Sequence, residues 1–199
     1  MTNGPLFQKQ LPVGAIGRRA SGWWGMLMLI ATEAALFSYL LFSYFYLASQ
    51  AKTTWLPIAM PSLRLALPNT IILLASSLVL WWGERAMRRG LLIRQLLAIG
   101  LALVLGMVFI VVQFLEWHLK TFSMTDNAYG SLYFTITGFH MLHVLGGILM
   151  LGVLFIWAAL DYFNAERHTP ISIGVVYWHF VDAVWLAVFS SFYLYPYLR

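Results

Sequence analysis

Six ionisable side chains lie inside strongly apolar runs of this sequence: Glu33, Glu116, His140, His143, His179 and Asp182. The richest run is YGSLYFTITGFHMLHVLGG, Tyr129 to Gly147, within a span free of Asp, Glu, Lys and Arg from Gly130 to Leu160. Residues three and four apart stack on one helix face, so His140 and His143 share a face one turn below Thr137. Lipid offers a histidine no hydrogen-bond partner, and that face is expected to turn towards protein or trapped water. Gly138, Gly146 and Gly147 expose bare backbone, against which a neighbouring helix can close.

Glu33 sits near the middle of another apolar run, where a charged side chain costs roughly 2.5–3.5 kcal/mol on insertion scales. Two readings stand for it: a proton-exchanging or gating carboxylate, or a neutral acid hydrogen-bonded to a neighbouring helix. Glu116, three residues after Gln113 and two before His118, falls near a helix end from which a carboxylate can reach the interface. His179 and Asp182, within YWHFVDAVW, are three apart and share a face. Such a pair acts as internal glue or as a proton relay. His118 and His168 read as interfacial.

Metal chemistry fits these residues poorly. Bis-histidine haem needs ligands on facing helices, and a bundle iron site wants several carboxylates with a Glu-x-x-His pattern. Here only EWH occurs, at 116–118. A zinc or copper site from His140, His143, His179 and Asp182 is the weaker alternative. The absence of cysteine excludes disulfides, thiolate-held copper, iron–sulfur centres and c-type haem within the chain. Neither a phosphate-binding glycine loop nor an activated serine arrangement is present. The residues therefore assign no catalytic, cofactor or metal site.

The elements that hold these groups are membrane helices. The chain has 199 residues, 61% hydrophobic and 10% charged, with a mean hydropathy of +0.79, outside the range of a soluble domain. We expect an all-α integral membrane bundle of five transmembrane helices, at about 22–48, 68–87, 95–119, 131–160 and 171–195, with residues 1–21 as a cytoplasmic N-terminal segment. The first span is too long for a signal-peptide core and is read as a retained helix. Pro68 suits a first helical turn, and Trp81 and Trp82 suit the interface. Short turns imply antiparallel neighbours. Eight of the 12 lysines and arginines flank one side: Lys9, Arg18, Arg19, Arg85, Arg88, Arg89, Arg94 and Arg167. Lys52, Arg64, Lys120 and Arg199 flank the other. This places the N-terminus in the cytoplasm and the C-terminus outside. The basic cluster from Arg85 to Arg94 orients helices rather than binding nucleic acid.

Five ordered segments resemble subunit III of the haem–copper oxidases. They are WGMLMLIATEAALFSYLLFSYFYL with its glutamate, LPNTIILLASSLVLWWGERAMRRG with its NT and SS pairs, GMVFIVVQFLEW with its Gln-x-x-Glu-aromatic pattern, YGSLYFTITGFHMLHVLGG and YWHFVDAVWLAVFSSFYL. The resemblance runs from about Gly22 to Tyr195. It implies an accessory subunit without a redox centre of its own, in a bacterial-type membrane. The expected partners are catalytic subunit I, which holds haem and copper, and subunit II. The family's role is to stabilise the catalytic subunit during turnover and support proton uptake. Glu33 matches the family's membrane glutamate, and Glu116, His140, His143, His179 and Asp182 match its other polar positions.

In this resemblance the chain is the shorter type, lacking the first two of seven helices. The family's cleft for phospholipid is therefore not assumed, although lipid remains a possible ligand. Two alternatives are a subunit III-like component of a nitric oxide reductase and an independent transporter using Glu33 and the histidines. The second would call for internal repeats and broken helices, which the sequence does not show.

Overall fold

In the computed structural model, the described residues are 21–51, 55, 62–164 and 168–198. The N-terminal segment 1–20, with Lys9, Arg18 and Arg19, lies outside them, as do Lys52, Pro57, Pro61, Arg167 and Arg199. Among the described residues, five helices are long and apolar enough to cross a membrane: α1 (Ser21–Gln50), α2 (Leu63–Met87), α3 (Leu92–His118), α4 (Ala128–Ala159) and α5 (Thr169–Phe189). A π turn, Ser190–Leu194, and a last helical turn, Tyr195–Leu198, continue α5. The fold is all-α, with no strand among the described residues.

Local chemistry sets the helix ends. The α2 helix begins at Leu63, earlier than Pro68 suggests, because the Ser62 hydroxyl accepts from the Arg64 N–H at 3.3 Å and caps it. Pro68 is thereby carried inside the helix. At the other end of α2, Gly90 takes φ +77°. Its N–H donates to Met87 and that of Leu91 to Ala86, the paired bonds of a Schellman stop. The α2–α3 hairpin is tight as a result. Asn127 caps α4, its Oδ1 accepting from the Gly130 N–H at 2.7 Å. In the preceding loop, Asp126 accepts from the hydroxyl and N–H of Ser123 at 2.6 and 2.7 Å, which holds its carboxyl below the usual range.

Helices α2, α3, α4 and α5 close a ring, with α2 against α3 and α5, and α4 against α3 and α5. The α1 helix lies outside the ring against α4 and α5, and buries only Phe37, Tyr44 and Ala48. Buried α2 residues fall three and four apart through Ala66, Asn69, Leu73, Ser76, Leu80 and Gly83, which gives one continuous inward stripe. Leucine, valine and isoleucine dominate the outward faces of α3 and α4, as lipid contact demands. At the centre, the Trp178 ring is wedged between Gly106 of α3 and Gly147 of α4: a Cβ at either would fall within 2.8 Å of the ring. Gly138 and Gly146 have only ordinary contacts, 3.7 Å to Trp117 and 3.6 Å to Tyr177. Of the three glycines expected to admit a neighbour, Gly147 is the close one.

Candidate functional site

Three polar centres occupy the bundle. The first joins α1 to α4. His143 Nδ1 lies 2.7 Å from the Phe139 carbonyl, and its Nε2 lies 2.9 Å from Glu33 Oε2. A carbonyl only accepts, so Nδ1 carries hydrogen. The proton between Nε2 and Glu33 then sits on one partner or the other, as neutral acid facing neutral imidazole or as carboxylate facing imidazolium. The pair is neutral either way. Phe37 packs edge-on to the imidazole at 5.0 Å, and the Tyr177 hydroxyl donates to the His143 carbonyl at 3.3 Å. Glu33 keeps 26% of its side-chain surface exposed and His143 14%, so the pair opens on the flank of the bundle.

The second centre lies between α2 and α5. Ser77 Oγ is 2.8 Å from His179 Nδ1 and also bonds Asp182 Oδ2. His179 and Asp182 are therefore bridged through one hydroxyl rather than paired directly. Two indole donors complete the seam: Trp178 Nε1–H to Ser76 Oγ at 2.8 Å, and Trp185 Nε1–H to Thr70 Oγ1 at 2.9 Å. His140 stands apart. It is fully buried, donates from Nε2 to the Val181 carbonyl at 3.2 Å, and packs against Trp185 and Phe109 at 4.8 and 5.8 Å. The two α4 histidines thus point to different helices, His140 to α5 and His143 to α1, instead of forming one polar face.

The third centre gathers where α3 ends, α4 begins and α5 enters its π turn. Lys120 Nζ donates to Glu116 Oε1 at 2.8 Å, and the Tyr193 hydroxyl donates to the same oxygen. With that hydrogen spent, the Tyr193 oxygen accepts from the Tyr133 hydroxyl at 2.7 Å. The Lys120 ammonium rests over both rings, 4.9 Å from Tyr133 and 5.1 Å from Tyr193. Glu116 is buried rather than reaching the interface. Among the described residues, no three His, Cys, Asp or Glu side chains gather as a metal site requires.

Residues 19–197 match the family model of cytochrome c oxidase subunit III. The cytochrome c oxidase subunit 3 proteins of Danio rerio and Gallus gallus are 33% and 34% identical over 178 residues, 85% of this chain and 68% of theirs. That of Dugong dugon is 34% identical over the same span. The chain belongs to the cytochrome c oxidase subunit III family. For a subunit III chain, five of the six residues named from sequence are divided among the three centres: Glu33 with His143, His179 with Asp182, and Glu116, whose partner is Lys120. His140 serves the α4–α5 contact.

Several polar residues were not singled out from sequence as site residues: Ser77, Tyr133, Tyr193 and Lys120 in these centres, and Glu84 outside them. Ser77 was visible as half of the SS pair, and Lys120 as the fourth residue after Glu116. Tyr193 gave no such signal, because the π turn shifts the face that α5 presents. Glu84 Oε1 accepts from Arg88 at 2.9 Å and from the Ser172 hydroxyl at 2.7 Å. It lines a groove of about 430 Å³ with Trp23, His168 and Thr169, a crossing of α1, α2 and α5 that no local pattern encodes.

Proposed function

We propose that this chain is the accessory subunit III of a respiratory haem–copper terminal oxidase, supporting the stability and proton uptake of a catalytic subunit that reduces oxygen to water. The family match over residues 19–197 carries this reading. The chemistry proceeds on subunit I, which would hold haem and copper, with subunit II beside it. Electrons need no stop in this chain. Its own residues supply packing and proton-sharing groups.

Within that reading, Glu33 and His143 are the proton-related centre. Their hydrogen bond crosses from α1 to α4, is open on one flank, and exchanges one proton without a change in net charge. Within such a pair a proton changes partner at membrane depth without leaving a lone charge behind. Glu116, His140, His179 and Asp182 are structural polar residues that fix the ring. Orientation follows the charge count, with the N-terminus cytoplasmic and the C-terminus outside a bacterial-type membrane. Phospholipid is a further proposed ligand.

A mild-detergent pull-down of the tagged chain, with an optical spectrum and mass identification of its partners, tests this. Haem a or haem o bands with a copper-containing subunit I support it. Haem b with non-haem iron would move the assignment to nitric oxide reduction. A colourless solitary protein would sink both and favour transport.

A further inference from the structure

We propose that Asn69, Gln113 and Glu116 form a binding site for one internal water molecule, held inside the four-helix ring beside the Tyr133–Tyr193 pair. The argument begins with the amides. Asn69 Nδ2 donates to the Phe109 carbonyl at 3.2 Å, and a carbonyl cannot donate in return, so the orientation of this amide is fixed. The Gln113 atom 3.5 Å from the same nitrogen is then Oε1, which fixes the second amide. Asn69 Oδ1 is left over, buried without a protein partner, and Gln113 Nε2 gives one hydrogen to the Tyr133 hydroxyl oxygen and has a second to donate.

Glu116 adds the third group. Its Oε1 takes the hydrogen bonds from Lys120 and Tyr193, while Oε2 is buried without a protein partner. Asn69 and Gln113 are 0% exposed and Glu116 4%. Gln113 and Glu116 are one turn apart on α3, and Asn69 already touches Gln113 across the α2–α3 contact. The bonds still to be made are therefore two acceptors and one amide hydrogen. A water molecule donates twice and accepts readily. Placed among them, it donates to Asn69 Oδ1 and Glu116 Oε2 and accepts from Gln113 Nε2–H. That is about the three bonds typical of an interior water.

Other occupants fit worse. A cation would face the Gln113 N–H and compete with Lys120 for the carboxylate. An anion would face Glu116. Only a neutral species with donors and acceptors matches the inventory. Buried hydrogen-bonding capacity left unused is costly. The water closes a network drawn from three ring helices and the π turn that continues α5: Asn69 of α2, Gln113 and Glu116 of α3, Tyr133 of α4, and Tyr193 of the turn. It fixes the second carboxylate oxygen and so acts through positioning of Glu116.

Radical footprinting of the purified complex after rapid mixing with ¹⁸O-labelled water tests the site, in whichever complex the chain is found. Tyr193 and Trp178 are both 0% exposed, but Trp178 donates to Ser76 and is packed between glycines. Tyr193 is expected to take up label several-fold faster than Trp178, and Gln113→Leu is expected to bring it down to the Trp178 level. Equal rates in the native complex, or an unchanged Tyr193 rate in Gln113→Leu, would overturn the proposal. A density map of the native complex fine enough to show ordered water gives a second test that needs no variant. A peak within hydrogen-bond distance of Asn69 Oδ1, Gln113 Nε2 and Glu116 Oε2 supports the site. Clear density for the three side chains with no peak between them refutes it.

Discussion

Glu33 finds its partner 110 residues away on another helix, whereas Glu116 meets its cation four residues further along the chain. The first pair lies at mid-span on the outermost helix and stays partly open. The second lies at a helix end and is buried, with tyrosines and a lysine packed around it. A carboxyl that shares one proton with histidine has a form with no charge at all, neutral acid facing neutral imidazole, and so tolerates an open flank in the membrane. A carboxylate paired with lysine keeps two full charges, and these need hydrogen bonds and burial geometry to be held. The difference separates a centre fit for proton exchange from one fit for anchoring.

The largest effect should come from breaking the anchored pair. Glu116→Ala leaves the Lys120 ammonium and the Tyr193 hydroxyl without their acceptor, and should cost about 3 kcal/mol, at the low end for a broken buried pair because Lys120 can reach towards the interface. The temperature at which the chain leaves its complex reads this directly. Glu116→Leu combined with Lys120→Met should lose less than half as much, because no unpaired charge is left. Equal losses would show that packing, not charge, holds this end of the bundle.

Next in size is a change of sign between two glycines of one helix. Gly147→Ala drives a methyl into the Trp178 ring, which Gly106 holds from its other side, and should destabilise by about 1–3 kcal/mol. Gly138→Ala meets only ordinary contact and should gain up to about 1 kcal/mol of helix propensity. Gly147 is one turn beyond His143, so its variant should also raise hydrogen exchange in α1 while leaving the Glu116 end protected. A uniform rise across both ends would erase the contrast between the two centres. Smaller still, Tyr193→Phe removes the hydrogen bond to Glu116 and the acceptor of the Tyr133 hydroxyl, for about 2 kcal/mol. Tyr177→Phe, which loses a bond of 3.3 Å, should fall below half of that in the same melt.

The sequence announces helices and charges more clearly than it announces partners. Five apolar runs and the isolated Glu33 are local facts, and both are legible from composition. That Glu33 meets His143 depends on how α1 lies against α4, which periodicity does not encode. The Ser62 cap, which starts α2 five residues before Pro68, was overshadowed by the stronger proline signal. His140 and His143 are one turn apart, yet α4 is in contact with both α5 and α1. The small angle between the two side chains is enough to send them to different helices. Tyr193 is the hardest case, because a π turn adds a residue to the repeat and rotates everything after it. The family segments carried these positions together, although none of their pairings follows from spacing alone.

The smallest expected change in stability belongs to the most telling variant. In the neutral form of the first centre, the Glu33 acid donates to His143 Nε2, while Nδ1–H donates to Phe139. A glutamine amide reproduces that donor in nearly the same place. Glu33→Gln should therefore leave subunit content and melting within about 0.5 kcal/mol of the parent, whereas Glu33→Ala should loosen α1. What glutamine cannot do is give up its proton. If the pair exchanges protons for the oxidase, Glu33→Gln should slow proton uptake or hasten inactivation during turnover in a fully assembled complex, and Glu116→Gln should not. Normal uptake and normal turnover lifetime in assembled Glu33→Gln would make Glu33 an anchor like Glu116, differing only in the distance to its partner.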